Sequence, residues 1–274
     1  MPRDCRRVCA PRLSKFLGCS KARLPTFFWL LSLLLAVALP ASSAEPLLYP
    51  SEEKSAEKDA LRMIQSSRDP MAPVYPALAE YIANEFDLAD KRGIGIDLGG
   101  GPGSLALELC KRTPLYWINA DINPRFFASF FETAGAANLA HRVGAVFADA
   151  QALPFRDNYA EVIVSRGSFQ FWEDKARAFR EIYRALRPGG IAFIGRGFSP
   201  NLSVETARRI RDAQKKSDSF PKYDVAETAK DLRRALDKAG LSDYRIRIPK
   251  VSGAEDVNYG IWVEFRKPQP GQRR

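Results

Sequence analysis

Nine residues, Ile96 to Ser104 (IDLGGGPGS), constrain this chain more than any other stretch. They follow a short apolar run, Gly93 to Ile96, and lead into Leu105–Cys110 (LALELC), whose apolar residues recur at helical spacing. The pattern predicts a strand, a glycine turn and a helix. That arrangement lays a nucleoside or dinucleotide across the carboxyl end of a parallel sheet. Gly99, Gly101 and Gly103 lack a Cβ, so the backbone there can turn sharply and approach a ligand closely. Asp97, two residues before the first glycine, is out of place in a pyrophosphate turn, because its charge would repel phosphate. A ligand carrying an ammonium group would want a carboxylate there.

From about residue 73 the chain alternates helical and strand patterns, which predicts an α/β sheet. Expected helices cover Val74–Phe86, Ser104–Lys111, Pro124 to about Ala134, Lys175–Leu186 and Ala226–Ala239. Expected strands are Gly93–Asp97, Tyr116–Ala120, Val143–Ala148, Ala160–Ser165, Ile191–Gly195, Tyr244–Ile248 and Tyr259–Phe265. Arg187-Pro-Gly-Gly190 is expected to close the fourth of these helices as a turn. Asn201–Tyr223 is read as a basic, loop-rich stretch, either a solvated helix face or a cover for an acidic substrate. Asp97, Asp121 and Asp149 then fall at the ends of the first three strands and line one crevice. Asp121 can accept both hydroxyls of a ribose, and Asp149 an exocyclic amino group of adenine. Asp97 can serve the amino-acid end of the ligand through a water or backbone-mediated contact.

The formal charge of +10 is no sign of nucleic-acid binding once it is located. Residues 1–44 hold seven Arg or Lys against one acid, so they carry most of the excess. Three of the four cysteines lie in that leader, and Cys110 sits on the apolar face of the helix after the glycine turn as a core residue. With one histidine, His141, and no zinc spacing, no metal site is expected.

Pro25–Leu39 (PTFFWLLSLLLAVAL) is uncharged, follows basic residues and precedes Pro40-Ala-Ser-Ser-Ala44, the pattern of a secretory signal cleaved near Ala44. The alternative is an uncleaved anchor, although spanning takes about 20 apolar residues. The expected organisation is a leader over 1–44, a linker and helix (Glu52 to Ser66) over 45–72, a folded domain over 73–266 and a polar tail over 267–274. Export or membrane attachment through residues 25–39 is the expected location, with a cytosol-facing domain the alternative.

Four strings in order resemble the class I S-adenosylmethionine-dependent methyltransferases, particularly their small-molecule branch. They are GIDLGGGPGSLALEL (95–109), NADINP (119–124), ADAQALPFRDNYAEVIVS (148–165) and FREIYRALRPGGIAFIG (179–195). The resemblance covers roughly residues 73–265. It implies a Rossmann-like, doubly wound α/β fold of seven strands, mostly parallel with an antiparallel last strand and helices on both faces. It also implies S-adenosyl-L-methionine as cofactor and a small-molecule methyl acceptor. Gly99, Gly101 and Gly103 would form the cofactor turn, and Asp121 would bind the ribose with Ile122 against adenine. Asp149 and Ala150 would read the adenine edge, and Ser165 would lie near the methionine portion.

A nicotinamide dehydrogenase is the competing reading, because Gly101-x-Gly103-x-x-Ala106 fits a loose dinucleotide fingerprint; Asp97, Asp149 and the LPF and LRPGG strings argue against it. The chain also departs from its relatives. Where many carry a histidine pair after strand four, this one has Arg166-Gly-Ser-Phe-Gln-Phe-Trp172, with no imidazole to act as a base. No catalytic residue is therefore assigned. Methyl transfer from a sulfonium is an in-line displacement that positioning and desolvation can drive without a strong base. Tyr75, Arg166, Phe169, Phe171 and Trp172 are the candidate acceptor residues, with Phe169, Phe171 and Trp172 suited to an apolar or aromatic acceptor and to cation–π contact with the sulfonium, and Tyr75 a lid over the cofactor. The alternative function is a binding or scaffold protein that keeps the fold.

Overall fold

The computed structural model describes residues 50–215, 224–269 and 271. The expected signal or anchor segment, 25–39, lies outside the described residues, as do residues 270 and 272–274 of the polar tail. Among the described residues no helix is long and apolar enough to cross a membrane. Two helices, α1 (Pro50–Arg68) and α2 (Val74–Glu85), precede the sheet, and α1 falls in the same unit as the sheet, residues 48–274.

Seven strands follow: β1 (Ile94–Leu98), β2 (Tyr116–Asp121), β3 (Val143–Phe147), β4 (Ala160–Arg166), β5 (Leu186–Gly197), β6 (Tyr244–Arg247) and β7 (Gly260–Arg266). They form one sheet in the order β3-β2-β1-β4-β5-β7-β6. The first five are parallel, while β7 runs antiparallel to both β5 and β6. The chain order reverses at β1, between β2 and β4, which opens the crevice where sheets of this kind take ligands. The expected doubly wound architecture is present.

The helices are α3 (Ser104–Arg112), α4 (Phe127–Ala136), α5 (Lys175–Ala185), α6 (Val204–Lys215) and α7 (Val225–Lys238). Central strands are buried on both faces and read as nearly unbroken apolar runs, as in β4 (AEVIVS). One face packs α5 through Phe179 and Ile182, with Leu232 and Leu236 of α7 in the same cluster. The other packs α2 and α3 through Leu78, Ile82, Leu105 and Leu109, with Phe193 and Trp262 stacked 4.7 Å apart beneath them. Asp174 and Asp224 cap α5 and α7 by accepting from the N–H groups of Arg177 and Glu227. Cys110 is fully buried, as expected of a core thiol.

One expectation fails. Arg187–Gly190 is no turn: β5 begins at Leu186 and includes it. The glycines make this extension fit, because a Cβ on Gly190 would lie 2.8 Å from the Arg187 carbonyl and 3.0 Å from that of Ala160. Gly189 at φ +79° instead turns its N–H to the Lys267 carbonyl, 2.7 Å away. Of the stretch from Asn201, Val204–Lys215 is helix α6, in keeping with the reading of a charged helix face. Ala207 and Ile210 bury its narrow apolar stripe against Phe198, Leu202 and Tyr259, while Arg208 pairs outward with Asp256. Charge on three sides of a helix hides so thin a stripe from a periodicity reading.

Candidate functional site

The glycine turn is lashed to the ends of β1 and β2 by side chains. β1 and β2 pair in register, Asp97 beside Asn119. The Asn119 amide donates to the Gly101 carbonyl at 2.8 Å, and the Gly101 N–H donates to Asp121 Oδ2 at 2.8 Å. Gly99 donates to the Ala120 carbonyl at 2.7 Å. Asp97 Oδ2 accepts from the Ala106 N–H at 3.1 Å and so caps α3, whose own N-cap, Gly103, has no side chain to offer. The turn depends on close approach: a Cβ on Gly99 would lie 2.3 Å from Ser168 Cβ, and one on Gly103 2.1 Å from the Phe130 ring. Gly101, at φ +54°, has only Met63 of α1 and the Phe126 ring near that position, 3.9 and 4.0 Å away.

Two carboxyls here are perturbed. Burial penalises the charged form of Asp97 and lifts its pKa to about 7; the Ala106 N–H opposes this, Asp121 adds to it and Arg166 opposes it. Its Oδ1 is buried without a partner, and so is Asn119 Oδ1. A buried acceptor left unpaired is costly, so Oδ1 of Asp97 is suited to a bound donor. Asp121 is also raised, mainly by burial, against the N–H groups of Asn123, Gly101 and Ile122.

The remaining predicted residues divide clearly. Ile122 projects from the end of β2 and is 61% exposed. Asp149 sits after β3 with Oδ1 accepting from both the backbone and side-chain nitrogens of Gln151 (2.8 and 3.3 Å), next to the buried Ala150. Ser165, at the end of β4, bonds Ser168 at 2.5 Å, and Ser168 passes the chain on to the Leu98 carbonyl at 3.2 Å. Arg166 follows, its Nε donating to the Gly197 carbonyl at 3.1 Å and its guanidinium lying over the Tyr75 ring at 5.6 Å. The three loop aromatics do not act together. Phe169 and Trp172 are core residues, Trp172 edge-on to Phe179 at 5.8 Å, and only Phe171 is exposed, at 71%. The expectation of an aromatic trio facing an acceptor is corrected to one residue, because the 3-10 turn Phe169–Phe171 aims its first ring inward and its last outward.

Three participants went unpredicted: Gly100, Asn119 and Ser168. A Cβ on Gly100 would lie 2.3 Å from Asn119 Oδ1 and 2.8 Å from Asp97 Cγ. The available signal was an asparagine inside an otherwise apolar strand, Trp117-Ile118-Asn119-Ala120, beside a run of three glycines. A separate cavity of about 370 Å³ is lined by β2, β3 and residues between Pro154 and Tyr159, and by none of the glycine-turn residues or strand-end carboxylates. Among the described residues no cluster of His, Cys, Asp and Glu is arranged for a metal ion.

The orphaned Asp97 oxygen and the side-chain-free glycine cradle fit a nucleoside that also carries an ammonium group, and comparison with known proteins agrees. The family profile described as "Methyltransferase domain" matches residues 96–194, from β1 to β5. A protein of known structure from Methanococcus maripaludis, classed as an S-adenosyl-L-methionine-dependent methyltransferase, is 34% identical at a TM-score of 0.65. The match covers 79% of this chain and 94% of that one. The human mitochondrial arginine-hydroxylase NDUFAF5 is 25% identical over 213 residues, 75% of this chain and 59% of that protein. The spinach chloroplastic 2-methyl-6-phytyl-1,4-hydroquinone methyltransferase is 35% identical over 107 residues, 39% of this chain and 30% of that protein. The chain therefore matches about three fifths or less of these curated relatives. Glycine turn, strand order and a relative matched along almost its whole length converge: this chain belongs to the class I S-adenosylmethionine-dependent methyltransferases.

Proposed function

We infer that this protein transfers a methyl group from S-adenosylmethionine to a small-molecule acceptor by in-line displacement. The observation that carries the reading is the set of carboxylates at three adjacent strand ends around a glycine turn, one of them buried with an unpaired oxygen. When bound, the cofactor supplies a methyl group on a sulfonium, which is electrophilic without further activation.

The residues divide the work by chemistry. Asp97, with its unpartnered Oδ1, would hold the ammonium end of the cofactor, and the backbone at Gly99, Gly101 and Gly103 would leave room for the nucleoside. Each Asp121 oxygen already holds one main-chain N–H and keeps capacity for a ribose hydroxyl. Ile122 offers its exposed face to adenine, while Asp149 Oδ2 and Ala150 read the base edge. Ser165, committed to Ser168, shapes the methionine end. On this reading Phe171 and Tyr75 border the acceptor, and the rate comes from alignment and desolvation.

Calorimetry with S-adenosylmethionine, and Asp121→Ala beside wild type, tests the binding half. Absence of binding by folded protein overturns the reading. The hydroquinone methyltransferase likeness supports a small aromatic acceptor. A second reading, the same fold turned to binding or other chemistry, is favoured by the match along 75% of this chain to a protein named an arginine hydroxylase. Release of S-adenosylhomocysteine in the presence of cell extract as acceptor source separates the two. The basic, apolar leader supports export or membrane attachment, which reporter fusions at residue 45 and at the C-terminus test.

A further inference from the structure

One crossover among the parallel strands lacks an α-helix. Helix α3 joins β1 to β2, α4 joins β2 to β3 and α5 joins β4 to β5, but residues 148–159 carry the chain from β3 to β4 without one. On the side of α5 and α7, the outer strands β2 and β3 therefore lie under irregular chain, and Ile118 and Val146 there are only partly buried. The gap this leaves is the cavity of about 370 Å³. Small ligands are held in spaces of ~300–1,000 Å³.

Its walls are fixed from outside. Arg184 of α5 donates to the carbonyls of Leu153 at 3.1 Å and Phe155 at 2.7 Å, and Glu181 accepts from the Leu153 N–H at 2.9 Å. Those bonds make residues 153–155 a braced ledge. On the strand side, the Tyr116 hydroxyl donates to the Val143 carbonyl at 2.7 Å. Gly144 gives that ring its place, since a Cβ there would lie 3.0 Å from the hydroxyl. Three aromatic rings line the space: Tyr116, Phe155 and Tyr159, the last two 5.5 Å apart and 11° from parallel. Arg156 is the single charged side chain on the lining, and its guanidinium lies over the Tyr159 ring at 5.6 Å. The acids closest to it in sequence are engaged elsewhere, Asp157 with Arg184 and Glu161 with Arg187.

We propose that this cavity is a second ligand site, apart from the cofactor crevice, for a small planar aromatic carboxylate. The rings, with Ile118 and Val146, take the flat apolar body. A guanidinium stacked by its face keeps its edge for the two carboxylate oxygens, which it matches as a fork. A cationic ligand would meet the wrong charge, and a saturated acid would forfeit the ring contacts. The site rests on no part of the methyl-transfer reading.

The test uses the full chain and 2-naphthoate, followed by calorimetry and saturation-transfer NMR. 2-Naphthamide removes the charge, and the decahydro acid removes the aromatic face. The expected preference for 2-naphthoate over the amide is roughly 5- to 10-fold, between an exposed ion pair and a buried charge-assisted bond. Over the decahydro acid it is roughly 2- to 10-fold. Arg156→Gln, at an exposed position, abolishes the first preference and keeps the second. Tyr116→Leu lowers the second and keeps the first. Saturating S-adenosylhomocysteine changes neither. Equal binding of acid and amide, or a preference that survives Arg156→Gln, overturns the proposal. So does displacement of the probe by S-adenosylhomocysteine, which would put it in the crevice, and so does the lack of saturable binding up to about 10 mM.

Discussion

Replacing Asp97 by asparagine isolates the cost of burying a carboxylate under the glycine turn. Asp97 is 1% exposed, and its pKa stands at about 7 against an ordinary 3.8 because burial disfavours the charge. Such a group holds its proton in the native state at pH values where the unfolded chain has released it. Stability is therefore present at low pH and is lost as pH rises, from the unfolded value of 3.8 through the folded value of about 7. Each unit of pKa difference corresponds to about 1.4 kcal/mol, so between about pH 5 and about pH 8 the wild type should lose about 3 kcal/mol through this group.

Asp97→Asn keeps the shape and an oxygen for the Ala106 N–H but removes the titration. Urea unfolding of ligand-free protein at the two pH values measures the difference directly. The variant should gain about 3 kcal/mol on the wild type in moving from about pH 5 to about pH 8. A gap between the two proteins that stays the same at both pH values would refute the account of Asp97 as a buried, proton-holding carboxyl. A linked effect belongs to the cofactor: an ammonium on Oδ1 needs the charged form, so binding below neutral pH should release a proton. Calorimetry in buffers of different ionisation enthalpy should detect that release in wild type and not in Asp97→Asn.

Gly100→Ala forces a methyl group to within 2.3 Å of Asn119 Oδ1, so it should cost about 1–3 kcal/mol in thermal or urea unfolding and weaken cofactor binding. Asp121→Ala should weaken S-adenosylhomocysteine binding roughly 10- to 100-fold by calorimetry, with a loosened Gly101 turn contributing. Trp172→Ala removes a buried ring packed on Phe179 and should cost about 3–5 kcal/mol of stability. Phe171→Ala, three-quarters exposed, should leave unfolding within about 0.5 kcal/mol of wild type and change acceptor KM alone. Equal destabilisation by the two aromatic variants would overturn the division of that loop into core and rim.

Legibility followed the range of the interactions. Strand–turn–helix at residues 94–112 was readable because the glycine spacing and the apolar period are local. The strand-end carboxylates were readable for the same reason, each closing its own short apolar run. Asn119 was not, since its importance comes from standing beside Asp97 across the β1–β2 ladder, a pairing made between residues 22 positions apart. Gly100 was hidden by the same fact: its neighbours in space are those two side chains. Among Phe169, Phe171 and Trp172, composition alone could not tell core from rim, and a single 3-10 turn decided it. The LRPGG string was misread as a turn because Pro and Gly usually punctuate. Here the glycines let β5 run past the carbonyls of β4 and pair with the segment after β7.

The amino-acid sequence by itself determined the α/β class, the position of the cofactor turn and the three carboxylates around it. Each of these is written in a run of residues shorter than a strand and a helix together. Only the tertiary structure decided how those groups are charged and what they lack. Burial, which no local pattern specifies, raises Asp97 towards neutrality and leaves one of its oxygens without a partner. The folding of α2 and β5 against the end of β4 likewise sets Arg166 on Tyr75, two residues 91 positions apart in sequence that meet only in the folded chain.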